Sequence, residues 1–262
     1  MIHQDVSIPV EGSSMPAYLA RPEEGSGPHP AVIIIPEIYG VTPEMRAIAD
    51  HVAGAGGVAL AINFYHRLDP NFAPGYGEAG SQAGSAAAKT VTRDSLHADV
   101  AAAMAWLDEQ AFVRTGYVAT WGFCIGGAVA FVTADLPGLR GAVCFYGGQI
   151  TRPFASGEPE GLTDAARIGA PLLLVYGGED AGIPAEAIER TRTALEAAGT
   201  DFAIQVYPKV GHAFFRHGTR QAVAEKSDQS DEAVAQATAD AWHLTLAFFK
   251  RIFDTAAPEN AI

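Results

Sequence analysis

Cys124 stands in the run Gly122-Phe123-Cys124-Ile125-Gly126-Gly127, a nucleophile with glycine two positions away on either side. The apolar run from Tyr117 to Trp121 reads as a short buried strand, and Gly126 to Ala130 as the opening of a tightly packed helix. The cysteine therefore falls on a sharp strand-to-helix turn. A residue at such an apex is held in strained backbone geometry, so Gly122 and Gly126 must carry no side chain to collide. The turn exposes the sulfur over the helix N-terminus, whose unsatisfied N–H groups and dipole favour a thiolate. It also aims the Ile125 N–H at any oxyanion formed there. Taken alone, the motif suits a buried structural cysteine equally well. Its partners decide between the two.

Three other strand ends carry groups that could supply those partners. Ala31 to Ile35 leads into Pro-Glu37-Ile38-Tyr39-Gly, the run 171–176 into Gly-Gly-Glu-Asp180, and the run 201–207 into a loop carrying His212. The acid follows the cysteine by 56 residues and the histidine follows the acid by 32. Nucleophile, acid, histidine is the chain order of α/β-hydrolases, unlike those of chymotrypsin and subtilisin. His212 would take the thiol proton and hold it as imidazolium beside the thiolate, while Asp180 orients the ring and stabilises its charge. The alternatives are a turn-forming Asp180, a satisfied loop histidine at 212, and a solvated charge at Glu37. The Ile38 N–H is placed as a second oxyanion donor. Tyr39 and Tyr146, at two strand ends, are candidates to line the substrate. His3, His29, His51, His97, His217 and His243 show no metal-ligand spacing and read as surface or packing groups, so neither metal nor cofactor is expected. His66 is placed at the pocket edge, and Cys144 in the core.

The elements that must position these residues alternate between strand and helix. DVSIPV, a turn at EGSS and MPAYLA read as an antiparallel hairpin. Ala31 to Ile35 is a continuous β-branched run of the kind buried on both faces of a parallel sheet. Thr42 before Pro43 is an N-cap with proline at the first helical position, and the apolar spacing runs on to Gly56. Val58 to Tyr65 is a strand. His66 to about Lys89 reads as a long Gly/Ala/Pro loop, a pocket wall or mobile flap. Leu96, Val100, Ala103 and Leu107 mark a helix, Gly141 to Tyr146 a strand, Ile188 to Leu195 a helix stopped at Gly199, and Trp242 to Phe253 a last helix. This pattern predicts the α/β class: an α/β-hydrolase fold with a mainly parallel central sheet, helices on both faces and an N-terminal antiparallel hairpin. Ligands bind such sheets at the carboxyl ends of the strands.

A chain of 262 residues with 48% hydrophobic content suits a single domain over 1–262. Two cysteines give no disulfide framework, and there is neither a secretory h-region nor an apolar run of membrane length. A cytoplasmic protein, a monomer or small homo-oligomer without membrane partner, is expected. The formal charge of −13 with no basic cluster argues against nucleic acid.

Together PEIYGV, GFCIGG, GGED and GHAFFR resemble the dienelactone hydrolase family, over the chain from about Ala31 to the terminal helix. The resemblance implies Cys124, Asp180 and His212 as a catalytic triad, with main-chain donors at Ile38 and Ile125. It implies that Glu37 contacts the cysteine at rest and is displaced by substrate, and that Arg216 binds a substrate carboxylate. The family's second arginine, in the segment matching the long loop, has no motif-anchored counterpart here; only Arg67 and Arg93 lie nearby. Independently of any family, a thiolate leaves a tetrahedral intermediate more readily than an alkoxide does. Forward reaction therefore requires an enol or thiol leaving group. The expected substrate is a small activated ester or lactone. The alternatives are a broad carboxylesterase or thioesterase, and a non-hydrolytic thiol redox or binding protein on the same fold.

Overall fold

The computed structural model describes residues 1–255 apart from Ser26, Ser156 and residues 217–228. Eight strands form one sheet in the order β1-β2-β4-β3-β5-β6-β7-β8. These are β1 Ile2–Val10, β2 Ser13–Arg21, β3 His29–Ile35, β4 Val58–Ile62, β5 Val113–Phe123, β6 Leu139–Phe145, β7 Leu172–Gly177 and β8 Phe202–Tyr207. The β1–β2 hairpin is antiparallel and joins the rest by an antiparallel β2–β4 pairing, whereas every pairing from β4 to β8 is parallel. Parallel strands need helical crossovers, and these cover the sheet. Among the described residues, the α-helices of eight residues or more are α1 Pro43–Gly54, α2 Glu78–Ala88, α3 Arg93–Asp108, α4 Ile125–Val132, α5 Ala185–Ala198 and α6 Gln229–Asp254.

Local chemistry sets these boundaries. Thr42 caps α1 by accepting from the Met45 N–H at 3.4 Å, with Pro43 following. Thr92 and Ser95 form a reciprocal capping box at α3. Gly199 ends α5 in the left-handed conformation, φ +68°. On one face His51 of α1 meets Trp242 of α6 edge-on at 5.7 Å, and Trp242 packs on Trp121 of β5. On the other, His97 of α3 bonds Asp135 in the turn after α4. The fold is therefore an α/β-hydrolase fold, as the alternating pattern predicts. Among the described residues, no helix is long and apolar enough to cross a membrane.

Two expectations need correction. The segment from His66 to Lys89 is not a loop throughout, because α2 occupies Glu78–Ala88 within it. The sequence EAGSQAGSAAA has no large apolar side chain to show a helical period; its buried positions are Gly80, Gly84, Ala87 and Ala88. Strand β4 stops at Ile62 rather than Tyr65, because the Asn63 side chain accepts the Tyr65 N–H at 3.2 Å and turns the chain.

Candidate active site

Cys124 sits on the apex between β5 and α4 with φ +55° and ψ −119°, a backbone region that non-glycine residues rarely occupy. Close backbone approach around it explains the flanking glycines. A Cβ on Gly122 would lie 1.8 Å from the Gly126 oxygen, and one on Gly126 would lie 2.2 Å from the Ile35 oxygen and 2.5 Å from that of Pro36. Side chains at either position would force the turn open. The Cys124 N–H is anchored on the Phe145 carbonyl at 3.0 Å, while the residue itself remains half-buried.

The histidine and the acid arrive on adjacent loops that the main chain locks together. Beyond the β7–β8 pairing, the Gly178 N–H donates to the Tyr207 carbonyl at 2.7 Å and the Glu179 N–H to that of Val210 at 3.0 Å. Asp180 and His212 are thereby held in register. His212 Nε2 lies 3.2 Å from Cys124 Sγ, and its Nδ1 lies 2.6 Å from Asp180 Oδ2. The other Asp180 oxygen accepts the Gly182 N–H at 2.8 Å. Burial pushes the Asp180 carboxyl up, but the His212 hydrogen bond and charge, with the Gly182 N–H, hold it below the usual carboxylate range. Burial likewise pulls the His212 imidazole down, yet the hydrogen bonds and charges of Asp180 and Cys124 prevail and hold it up to about 10. The geometry suits a protonated ring beside the Asp180 carboxylate.

Glu37 forms a second group beside the first. Buried after β3, it pairs with Arg216 Nε at 3.2 Å. Tyr39 and Tyr76 present their rings to that guanidinium at 5.3 and 4.8 Å. The Tyr76 hydroxyl is bonded to Glu44 at 2.7 Å and Thr42 at 2.9 Å. Burial raises the Glu37 carboxyl above its usual range, and the Arg216 and His212 charges recover only part of that shift. The resemblance implied a resting contact between Glu37 and the cysteine. In the structure the carboxylate is instead turned to Arg216, the partner that best compensates a buried negative charge. Ile38 and Ile125 place their N–H groups on the two turns flanking the sulfur. Among the described residues, neither donates to a main-chain carbonyl.

The remaining candidates divide. Tyr146 is fully buried at φ +41°, with its ring edge-on to His212 at 5.1 Å. Cys144 is fully buried, and its thiol is pushed up by burial. His66 does not edge the pocket: its side chain is enclosed, with Nε2 3.1 Å from Asp99 and Nδ1 3.3 Å from Ser13. Arg67 pairs with Asp99 and Glu11, and Arg93 with Asp164. His217 lies outside the described residues. Two tyrosines were not among the sequence candidates. Tyr76 joins the Arg216 group, and Tyr65, in the turn after β4, buries a hydroxyl that has no hydrogen-bond partner among the described residues and feels the charge of the Cys124 sulfur. The only signal for Tyr65 was its place as the last residue of the apolar run that begins at Val58.

Comparison with known proteins bears on the family and the fold. The model of the dienelactone hydrolase family matches residues 15–253. A Yersinia pestis protein named "Putative carboxymethylenebutenolidase" is 32% identical over 255 residues, 97% of this chain and 90% of its own. An Escherichia coli K12 protein of the same name is 34% identical over 248 residues, 94% of this chain and 85% of its own. A crystal structure described as a "Putative Dienelactone Hydrolase" from Klebsiella pneumoniae has a TM-score of 0.81 at 30% identity, with 95% of this chain and 98% of that one covered.

Proposed function

The chain belongs to the dienelactone hydrolase family, and from that premise we propose that it hydrolyses small enol lactones and activated esters with Cys124 as nucleophile. One observation carries the reading: the unbroken line from Cys124 Sγ through both His212 nitrogens to Asp180, at 3.2 and 2.6 Å. A thiol sensor or binder has no use for an acid aligned behind the histidine.

In this reading the Cys124 thiolate adds to the carbonyl carbon, and the carbonyl π pair moves to oxygen, where the Ile38 and Ile125 N–H groups receive it. Collapse breaks the bond to the leaving oxygen and forms a thioester on Cys124. The imidazolium gives its Nε2 proton to the departing enolate. Neutral His212 then takes a proton from water as the water oxygen attacks the thioester. The second collapse expels the thiolate and releases the carboxylic acid. An alkoxide is a poorer leaving group than the thiolate, so unactivated alkyl esters revert. The Glu37–Arg216 pair keeps the buried carboxylate off the sulfur, leaving His212 as the partner of Cys124. A carboxylate on the substrate would share the Arg216 guanidinium with Glu37.

The test is a kinetic panel of enol lactones, aryl esters, acyl thioesters and a simple alkyl ester on wild type and Cys124→Ala. The wild type should turn over the activated substrates at least ~100-fold faster than the alkyl ester. Cys124→Ala should lose on the order of 10⁴-fold or more in kcat. Full turnover by Cys124→Ala would refute the nucleophile. Equal rates on all classes would make the protein a broad esterase.

A further inference from the structure

The turn that carries the Ile38 N–H is enclosed by backbone on three sides. A Cβ on Gly126, beneath it, would meet the Ile35 and Pro36 oxygens at 2.2 and 2.5 Å. At its far end Gly40, with φ +70°, lies so close to the 63–77 segment that a Cβ there would be 2.4 Å from the Phe72 oxygen. From outside, α2 lies directly on Ile38: a Cβ on Gly84 would be 2.4 Å from the Ile38 oxygen, 3.0 Å from its Cβ and 3.1 Å from its carbonyl carbon. Within the turn the Gly40 N–H bonds the Glu37 carbonyl at 3.2 Å, and the Thr42 N–H bonds the Gly40 carbonyl at 2.9 Å.

We propose that Gly84 is a positioning residue for the reaction, its bare Cα letting α2 seat against the Ile38 peptide and so fixing the direction of the oxyanion donor. This rests on the reading of Ile38 as that donor. The contact is backbone against backbone, and no flexible side-chain end can yield to a new methyl group. A methyl at 84 must therefore move the helix or turn the peptide. Gly126 and Phe72 block the turn's other exits, so the displacement falls on residue 38 and on the N–H it carries. The donor's value depends on lying within about 3 Å of the position where the oxyanion forms. The alignment therefore fails before the fold does.

Gly84→Ala separates positioning from mere structure, because alanine favours an α-helix over glycine by roughly 1 kcal/mol. If Gly84 serves only the helix, the variant keeps its kcat and unfolds at the same or a higher temperature. The proposal expects the opposite pairing: a thermal midpoint no lower than that of wild type by more than a few degrees, KM within about twofold, and kcat down roughly tenfold or more. A second readout is the rate ratio of an oxo ester to its thiono counterpart, which reports hydrogen bonding to the developing oxyanion and should fall about fivefold or more. Ser85→Ala, on the next residue of the same helix, should change neither. A folded Gly84→Ala with wild-type kcat and ratio overturns the proposal. So does a variant that fails to fold, since the strain must be absorbed at the turn. Cys124→Ala, assayed alongside, distinguishes this failure from that of the underlying reading: if it remains active, the nucleophile is wrong whatever Gly84 does.

Discussion

On one side of Cys124, the strands β5, β7 and β8 deliver sulfur, carboxylate and imidazole as side chains on neighbouring turns. On the other side, β3, β4 and the segment 63–92 deliver a carboxylate tied to Arg216, a main-chain amide, and tyrosines. The first side is joined by two short side-chain hydrogen bonds and needs little else. The second is joined by packing: Gly84 on Ile38, Gly40 on Phe72, and Tyr39 and Tyr76 on Arg216. Removing a group from the first side should therefore abolish a chemical step, whereas removing one from the second should misplace or unbalance a charge. Three variants test whether the two sides differ in this way.

Asp180→Asn should have the largest effect, on the order of 10³-fold or more in kcat. The amide keeps the shape but loses the charge that helps to hold His212 up to about 10. In the proposed mechanism the imidazolium donates its proton to the leaving enolate, so activity should be present below the His212 pKa and be lost as pH rises through it. Lowering that pKa moves the alkaline limb of the kcat profile to lower pH. A variant whose alkaline limb coincides with that of wild type would show that Asp180 does not set the ring's charge.

The same division explains what the sequence made legible. Cys124, Asp180 and His212 could be read because each follows the carboxyl end of a strand, and because turn chemistry spells out the glycines around the cysteine. Helix α2 could not be read, because it is buried through Gly80 and Gly84 rather than through apolar side chains at a helical period. Nor could the enclosure of His66, whose partner Asp99 lies 33 residues on. The choice of Arg216 over the cysteine by Glu37 depends on where the loop after β8 returns to the sheet, which no local pattern records.

Arg216→Ala strikes the second side and should show mainly in stability, at about 3 kcal/mol, because it leaves a buried carboxylate uncompensated. The sign of its pH dependence follows from Glu37. The Glu37 pKa is already raised above the value in an unfolded chain, so the folded protein holds the extra proton and stability falls as pH rises between the two values. Without Arg216 the folded value rises further and the interval widens. Denaturant unfolding at pH 5 and pH 8 should therefore show a larger loss at pH 8. An equal loss at both would mean that the guanidinium stabilises through packing on Tyr39 and Tyr76 rather than through charge.

Tyr65→Phe should have the smallest effect, and it tests where the boundary between the two sides lies. The ring is wedged between Phe64 and Phe72, at centroid distances of 4.2 and 4.8 Å, so phenylalanine keeps the packing. The hydroxyl is buried without a partner among the described residues, and burial together with the Cys124 charge pushes its titration upward. It is a neutral donor around neutral pH. An unmet buried hydroxyl costs roughly 1–3 kcal/mol, so its removal should stabilise the protein by about 1 kcal/mol. If substrate brings an oxygen to this unpaired donor, kcat should fall by several-fold in Tyr65→Phe, roughly 1 kcal/mol of barrier. Stability rising while kcat falls would place Tyr65 with the groups that touch the reaction. Stability rising with kcat unchanged would return it to the packing that holds the oxyanion turn.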